Sequence, residues 1–272
     1  GPVAKLAGVK SFCALVTGRG VGFSEHVNVF VGLVVRILYR FSIFFAECVI
    51  FQNQDDRLFF TNSGLLTANT ATGVVNGTGV DLAYYRFASI PKNLTFLFMS
   101  RLLYSKGLGT FLDCAAEFKR RYPEARFIVA GGFENGNDSF DPNMIEQLNQ
   151  GGIIDYRGHV EDVRSLLKEA SVFVLPSVYP EGIPRSAMEA MAVGRLIVTT
   201  NTPGCRELVE QNENGFLMSD PSAAALMRIL IKIAELPTFE IELMGKKSRF
   251  LAERKFDVHR VNKNMLKLLD MC

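Results

Sequence analysis

The chain has 272 residues, 48% of them apolar, with 30 basic residues against 28 acidic ones. That length buries one large core or two modest ones, and a net charge of +2 without an acidic or basic tail gives nucleic acid no electrostatic footprint. The five cysteines (Cys13, Cys48, Cys114, Cys205 and Cys272) are scattered, with no CxxC pair. They exclude a disulfide or zinc framework and read as the reduced thiols of a cytosolic protein.

The chain opens Gly1-Pro2, and Lys5 and Lys10 break its early apolar runs, so a signal peptide is not expected. Either a cut tag or a fragment of a longer chain is expected from such a start. Val27 to Ala46 is dense in Val, Leu, Ile and Phe and imitates a membrane span, but Arg36 and Arg40 sit inside it one helical turn apart. A buried amphipathic helix is the expectation, with a helix lying on a membrane as the alternative.

Short β-branched runs alternate with helical patterns along the rest of the chain. Strands are predicted over Phe12–Thr17, Cys48–Phe51, Thr72–Val75, Leu94–Met99, Phe127–Ala130, Ile153–Tyr156, Val172–Leu175 and Leu196–Thr199. Helices are predicted over Gln54–Ser63, Gly109–Arg121, Asn143–Asn149, Asp162–Ala170, Arg185–Val193 and Pro203–Glu210. From Ala223 onward the pattern is helical, interrupted near Pro237. Strand–helix–strand alternation predicts α/β architecture: parallel sheets covered by helices on both faces, in two Rossmann-like doubly wound domains. The polar connector Asp81–Asn93, with Gly77, Gly79 and Pro91 around it, marks a boundary. Residues 91–272 then form a full doubly wound domain, and residues 1–90 supply about three strands, fewer than the roughly five or six of an ordinary sheet. An incomplete N-terminal domain is expected.

Chemistry concentrates in two loops. After the Val172–Leu175 strand comes Glu181-Gly182-Ile183-Pro184, where a helix opens. Proline suits a first helical turn, Gly182 lets a ligand approach the backbone, and the helix N-terminus presents free N–H groups and partial positive charge, which suits a diphosphate. Glu189 lies eight positions beyond Glu181, about 12 Å along a helix. A carboxylate at each end of an anion site matches the hydroxyls flanking the diphosphate of a nucleotide-sugar. Isolated, such a pair is usually two solvated charges, but Glu189 lies among Ala187, Met188, Ala190 and Met191 and needs a hydrogen-bonding partner there. The second loop, Ser100 to Gly107, follows the Leu94–Met99 strand and carries Arg101 and Lys106, two cations where open α/β sheets bind ligands.

Weaker signals are a loop at Arg157-Gly158-His159-Val160, placed to border a nucleotide base, and Gly131-Gly132, a close-approach turn followed by a mobile segment Glu134–Asp141. Asp55 and Asp56 open a helix after Asn53, where acids favour the dipole, and are not read as metal ligands. No strand-linked G-x-G-x-x-G argues for a dinucleotide dehydrogenase.

The stretches Ser100-Arg101-Leu102-Leu103 with Lys106-Gly107, Val174 to Arg195 with its Glu181-Gly182-Ile183-Pro184-Arg185 and Glu189, and Thr199 to Leu217 with Pro203-Gly204-Cys205-Arg206-Glu207 resemble glycosyltransferase family four, the large retaining group with the GT-B fold. Upstream, Ala4 to Lys10, Val49 to Asp56 and Gly77 to Asp81 resemble the bacterial branch that extends lipid-linked oligosaccharides for capsule, O-antigen or glycoprotein assembly. The resemblance implies that residues 1–90 are the later part of the acceptor-side domain and 91–272 the nucleotide-sugar domain. It implies that Arg101 and Lys106 grip the donor diphosphate, that Glu181 contacts the transferred sugar and Glu189 the ribose, that backbone N–H groups of Gly182 and Ile183 add to the phosphate site, and that Arg157 to Val160 border the base. It further implies a UDP-sugar donor, a lipid-linked or oligosaccharide acceptor, retention of configuration, and no metal or cofactor for the chemical step. The location implied is cytoplasmic, with peripheral contact at the inner membrane face to which the 27–46 helix contributes, and the Asp257–Leu269 helix would cross back to the first domain. Pro180 and Arg19 depart from the family pattern. A GT-B UDP-sugar epimerase and a non-catalytic UDP-binding remnant stand as the alternatives.

Overall fold

The structure is a computed structural model and describes all residues except 1–2, 4–5, 10, 21–22, 24–27, 68–69 and 271–272. Lys5, Lys10, Cys272, parts of the Ala4–Lys10 stretch and Val27 therefore lie outside the described residues. Among the described residues the strands form two parallel sheets. The first has three strands in the order β1 (Cys13–Val16), β2 (Cys48–Phe51) and β3 (Ala71–Val74). Helix α1 (Val29–Phe44) joins β1 to β2, and α2 (Gln54–Asn62) joins β2 to β3.

The second sheet has six strands: β4 (Thr95–Met99), β5 (Arg126–Ala130), β6 (Asp155–Tyr156), β7 (Val172–Leu175), β8 (Leu196–Thr200) and β9 (Gly215–Met218), ordered β6-β5-β4-β7-β8-β9. Its helices are α3 (Leu108–Arg121), α4 (Pro142–Gln150), α5 (Arg164–Glu169) and α6 (Arg185–Val193), and α7 (Ala223–Ala234) and α8 (Thr238–Leu251) follow β9. Strands β4, β7 and β8 are buried end to end, as central strands covered on both faces must be. Strand order reverses between β4 and β7, so the loops leaving these two neighbours diverge and open a crevice at their carboxyl ends.

Three expectations change. The predicted Pro203–Glu210 helix is a single 3-10 turn, Arg206–Leu208. Gly204 takes φ +81° and lies so close to the Gly182 carbonyl that a Cβ would sit 1.7 Å from its oxygen, which stops the chain from coiling there. Strand β9 was not foreseen, because its four residues follow β8 through that short turn instead of a full helix. The buried amphipathic helix is not buried: in α1 only Ile43 is fully enclosed, and Phe30, Ile37 and Phe41 are exposed. Apolar residues lie on the sheet side and on the opposite side alike, with Arg36 and Arg40 on a flank between, so they gave no single inward face.

The tail breaks at Pro237, where α8 begins, and again at a π-type turn, Ala252–Phe256. Helix α9 (Val258–Asp270) then returns to the first sheet, where Val261, Met265 and Leu268 pack against Cys48, Ile50 and Val75. The polar connector is held by two arginines. Arg249 donates to the carbonyls of Tyr85 and Ala192. Arg195, wholly buried, donates to those of Ala88, Ala170 and Val193. Burial pushes the Arg195 guanidinium down to about 10, which leaves it charged at neutral pH. Arg195→Met is expected to destabilise the protein by about 3 kcal/mol or more, since several buried carbonyls lose their donor; urea unfolding with an unchanged midpoint would contradict this.

Candidate active site

The loops after β4 and β7 meet at the crevice. Lys106 closes a 3-10 turn and is only 8% exposed. Its Nζ donates to Glu181 Oε2 at 2.5 Å, with both side chains nearly enclosed. The other carboxylate oxygen, Glu181 Oε1, is buried with no hydrogen-bond partner among the described residues. A buried carboxylate oxygen in that state is uncommon and marks either strain or a site for a ligand donor.

Arg101 stands at the mouth. Its Nη1 donates to both carboxylate oxygens of Glu134, at 3.0 and 3.1 Å, in an exposed pair. Such a pair contributes little, about 0–1 kcal/mol, and opens readily for a competing anion. Glu189 is buried one side of the crevice floor, where Arg185 Nε donates to it at 3.0 Å. Burial, together with the Glu189 carboxylate beside it, raises the Tyr85 phenol and keeps it protonated. Arg185 is the partner that the apolar setting of Glu189 required.

A cavity of about 470 Å³ lies between Arg101 and Glu189, with Ser100, Gly131, His159 and Val160 among its walls. Its floor is backbone: Gly131 has φ +151°, and a Cβ there would lie 1.8 Å from the Ser100 carbonyl oxygen. A second cavity of about 260 Å³ carries Lys106, Asp138 and Tyr179 on its walls and shares Arg101 with the first. The two spaces therefore adjoin at that arginine. Helix α6 begins beside them, after Pro184, and the free N–H groups of its first turn add positive potential.

Arg157 is not at the cavity. Its Nε and Nη2 donate to Asp155 at 2.6 and 2.8 Å, and Nη2 also reaches Glu169 at 3.0 Å. Those hydrogen bonds hold Asp155 below the usual carboxylate range. Of the base-bordering loop, His159 and Val160 remain at the wall. The segment Glu134–Asp141 is not loose either: Asp138 accepts from the Ser105 backbone N–H at 3.0 Å and from its hydroxyl, and Phe140 stacks on Tyr104 at 4.0 Å.

The first sheet closes the other side. Gln52 Oε1 accepts the Ile183 N–H at 3.2 Å, and Asn53 Nδ2 donates to the Glu181 carbonyl at 3.3 Å. Gly182 is boxed between the sheets, since a Cβ there would lie 2.2 Å from Gln52 Oε1 and 2.3 Å from the Thr17 carbonyl oxygen. The glycine is thus required by the neighbouring sheet, and the Ile183 N–H expected for phosphate is engaged by Gln52. Asn53 also caps α2 by accepting the Asp56 N–H at 2.7 Å. Asp56, fully buried, is raised by burial and pairs with Arg19 at 2.7 Å, whose guanidinium lies over Phe59. The Val49–Asp56 stretch signalled a family in the sequence, but its contact with the Glu181 loop spans well over a hundred residues and left no local trace.

Residues 86–253 match the family model described as glycosyl transferases group 1. The chain is 28% identical over 286 aligned positions to the N,N'-diacetylbacillosaminyl-diphospho-undecaprenol alpha-1,3-N-acetylgalactosaminyltransferase of Campylobacter jejuni, covering 98% of this chain and 72% of that protein. It is 28% identical to the amylovoran biosynthesis glycosyltransferase AmsK of Erwinia amylovora over 67% of this chain and 46% of that one, so it spans less than half of AmsK's length. Among solved structures, Anabaena Alr3699/HepE in complex with UDP and glucose superposes with a TM-score of 0.82 at 21% identity, over 99% of this chain and 74% of that one. The sucrose-phosphate synthase of Thermosynechococcus elongatus superposes with a TM-score of 0.79 at 21% identity, over 98% and 69%. The two parallel sheets facing each other across the crevice are those of the GT-B fold. The chain belongs to the glycosyl transferases of group 1, as its resemblance to glycosyltransferase family four implied.

Proposed function

We propose that this chain transfers a hexosyl or N-acetylhexosaminyl unit from a UDP-sugar to a saccharide hydroxyl on a lipid-linked acceptor, with retention of configuration, in the assembly of a bacterial surface polysaccharide or glycan. The observation that carries the reading is the buried Lys106–Glu181 pair beside the start of α6, with one oxygen of Glu181 unpartnered among the described residues. In this reading the diphosphate lies between Lys106, Arg101 and the first turn of α6, and Glu181 Oε1 accepts a hydroxyl of the transferred sugar. Glu189 takes the ribose, and His159 and Val160 border the base. The names of the relatives support the chemistry, since the Campylobacter enzyme acts on an undecaprenol-linked substrate and the Anabaena protein was solved with UDP and glucose.

In the step itself the bond from the sugar C1 to the diphosphate oxygen breaks and a bond from the acceptor oxygen to C1 forms. Negative charge grows on the departing diphosphate. In this reading Lys106 and the α6 N-terminus lie where that charge develops and are already oriented, so little reorganisation of these two accompanies it. The acceptor's proton passes to the departing phosphate on the same face, so no dedicated protein base is needed. The buried Lys106 gains from the low-dielectric setting, and the exposed Arg101 turns from Glu134 to the donor at small cost. A lipid-linked acceptor places the enzyme at the cytoplasmic face of a membrane.

A panel of UDP-sugars tests this, with UDP release and glycoside product measured against a lipid-linked acceptor. Release coupled to one sugar and a glycoside product is expected; an isomerised nucleotide-sugar without glycoside would replace the reading with an epimerase. Glu189→Ala is expected to weaken UDP binding by about tenfold or more, the loss of a charge-assisted hydrogen bond, and titration calorimetry reads it directly. Unchanged affinity would remove Glu189 from the nucleotide site.

A further inference from the structure

Helix α1 carries a face that neither sheet of this fold covers. Its inward residues, Tyr39 and Ile43, recur at helical spacing and pack with Ala46, Val49 and Phe60. On the opposite side Phe30, Val34, Ile37, Phe41 and Phe44 recur at intervals of three and four, and all are exposed, Phe30 and Phe44 by 73% and 66%. Further helices of the same layer cover only the flanks of α1, because they lie beside it on the sheet. In a doubly wound domain the side of a helix pointing away from the sheet is its solvent side, and there a water-facing helix carries polar residues.

The charged groups on α1 itself have one sign. Arg36 and Arg40 are exposed along one flank; Arg36 lies over Phe23 and Arg40 donates to the Gly64 carbonyl. No acidic residue occurs from Val29 to Ala46. An apolar face bordered by arginines without acids is the pattern of a helix lying in a bilayer interface. No helix of the described residues is long and apolar enough to cross a membrane.

We infer that α1 seats this protein on an anionic lipid surface, through Phe30, Ile37 and Phe41 in the acyl boundary and Arg36 and Arg40 at the headgroups. This deepens the lipid-linked acceptor reading and rests on it only for its purpose. The helix begins at the carboxyl edge of β1, where Thr17 meets Gly182, so its first turn lies at the crevice side of the sheet. Seating along α1 brings that edge to the headgroup layer.

The test is flotation of the whole chain with vesicles of equal parts phosphatidylglycerol and phosphatidylcholine, without donor or acceptor, so that its outcome does not depend on transfer. Strong recovery is expected, falling at least about tenfold with phosphatidylcholine alone and in the triple variant Phe30→Ser, Ile37→Ser, Phe41→Ser, in line with the buried apolar area and anionic attraction that set such binding. The protein has no tryptophan, so Ile37→Trp adds a single reporter whose emission is expected to shift to the blue on vesicle addition. Absence of flotation, an unshifted Ile37→Trp emission, or equal binding to both vesicle types overturns the proposal. So does a dimer in sedimentation that the triple variant converts to monomer, which assigns the face to a second copy.

Discussion

Lys106→Ala is expected to lower turnover about a hundredfold or more. Two losses coincide. The departing diphosphate loses a preorganised cation, worth roughly 2.7–4 kcal/mol in comparable sites. Glu181 is also left as a buried carboxylate that has lost the Lys106 Nζ donor, with Oε1 unpartnered among the described residues, and removing one member of a buried pair costs about 3–5 kcal/mol. The second loss falls on stability, so the variant is expected to melt lower as well as turn over more slowly. Lys106→Arg keeps the charge but not the point geometry, and is expected to recover stability more than rate. Steady-state kinetics with the preferred UDP-sugar, alongside thermal melting, separates the two. A Lys106→Ala enzyme with near-normal kcat would contradict the role given to this lysine.

Gly182→Ala is the second large effect, and its cause lies in the first sheet. The added methyl meets Gln52 Oε1 at 2.2 Å and the Thr17 carbonyl oxygen at 2.3 Å. The Gln52 side chain can swing away, but Thr17 offers only backbone, so the Glu181–Ile183 loop or the first sheet must move. Either movement breaks the Gln52 bond to the Ile183 N–H and the Asn53 bond to the Glu181 carbonyl. A displacement of about 1 Å at a reacting centre can cost a hundredfold, and a loss of that size in kcat is expected. Most of the second sheet's core is remote from Gly182, so the circular dichroism spectrum is expected to stay unchanged. Full activity would show that the contact between the sheets does not position Glu181.

Much of this fold was legible in the sequence because its central strands are buried on both faces and read as unbroken apolar runs. Cys48–Phe51 and Val172–Leu175 coincide with β2 and β7 to the residue. The same holds for α6, whose start is announced by Pro184 and whose end by Gly194. The crevice followed from rules about where parallel strands deliver their loops, which placed Arg101, Lys106, Glu181 and Glu189 near one another. What stayed hidden depends on distant partners. Asp56 is an ordinary first-turn acid in the sequence, and only the fold shows that Arg19 and Asn53 enclose it. Arg157 looked like a loop cation free to meet a base, and only packing shows Asp155 and Glu169 holding it. Arg195 ends a motif on the page, yet in the fold it is the bolt of the connector. Helix α1 misled for a different reason: a helix apolar on two opposite sides carries no periodic signal of which of them is inward.

A crystal structure with UDP bound tests the central claim most directly. The account predicts a diphosphate within hydrogen-bonding reach of Lys106 and the first turn of α6, the ribose hydroxyls on Glu189, and the uracil beside His159 and Val160. Well-ordered UDP seated away from the crevice between β4 and β7, or no binding at millimolar UDP, would contradict it.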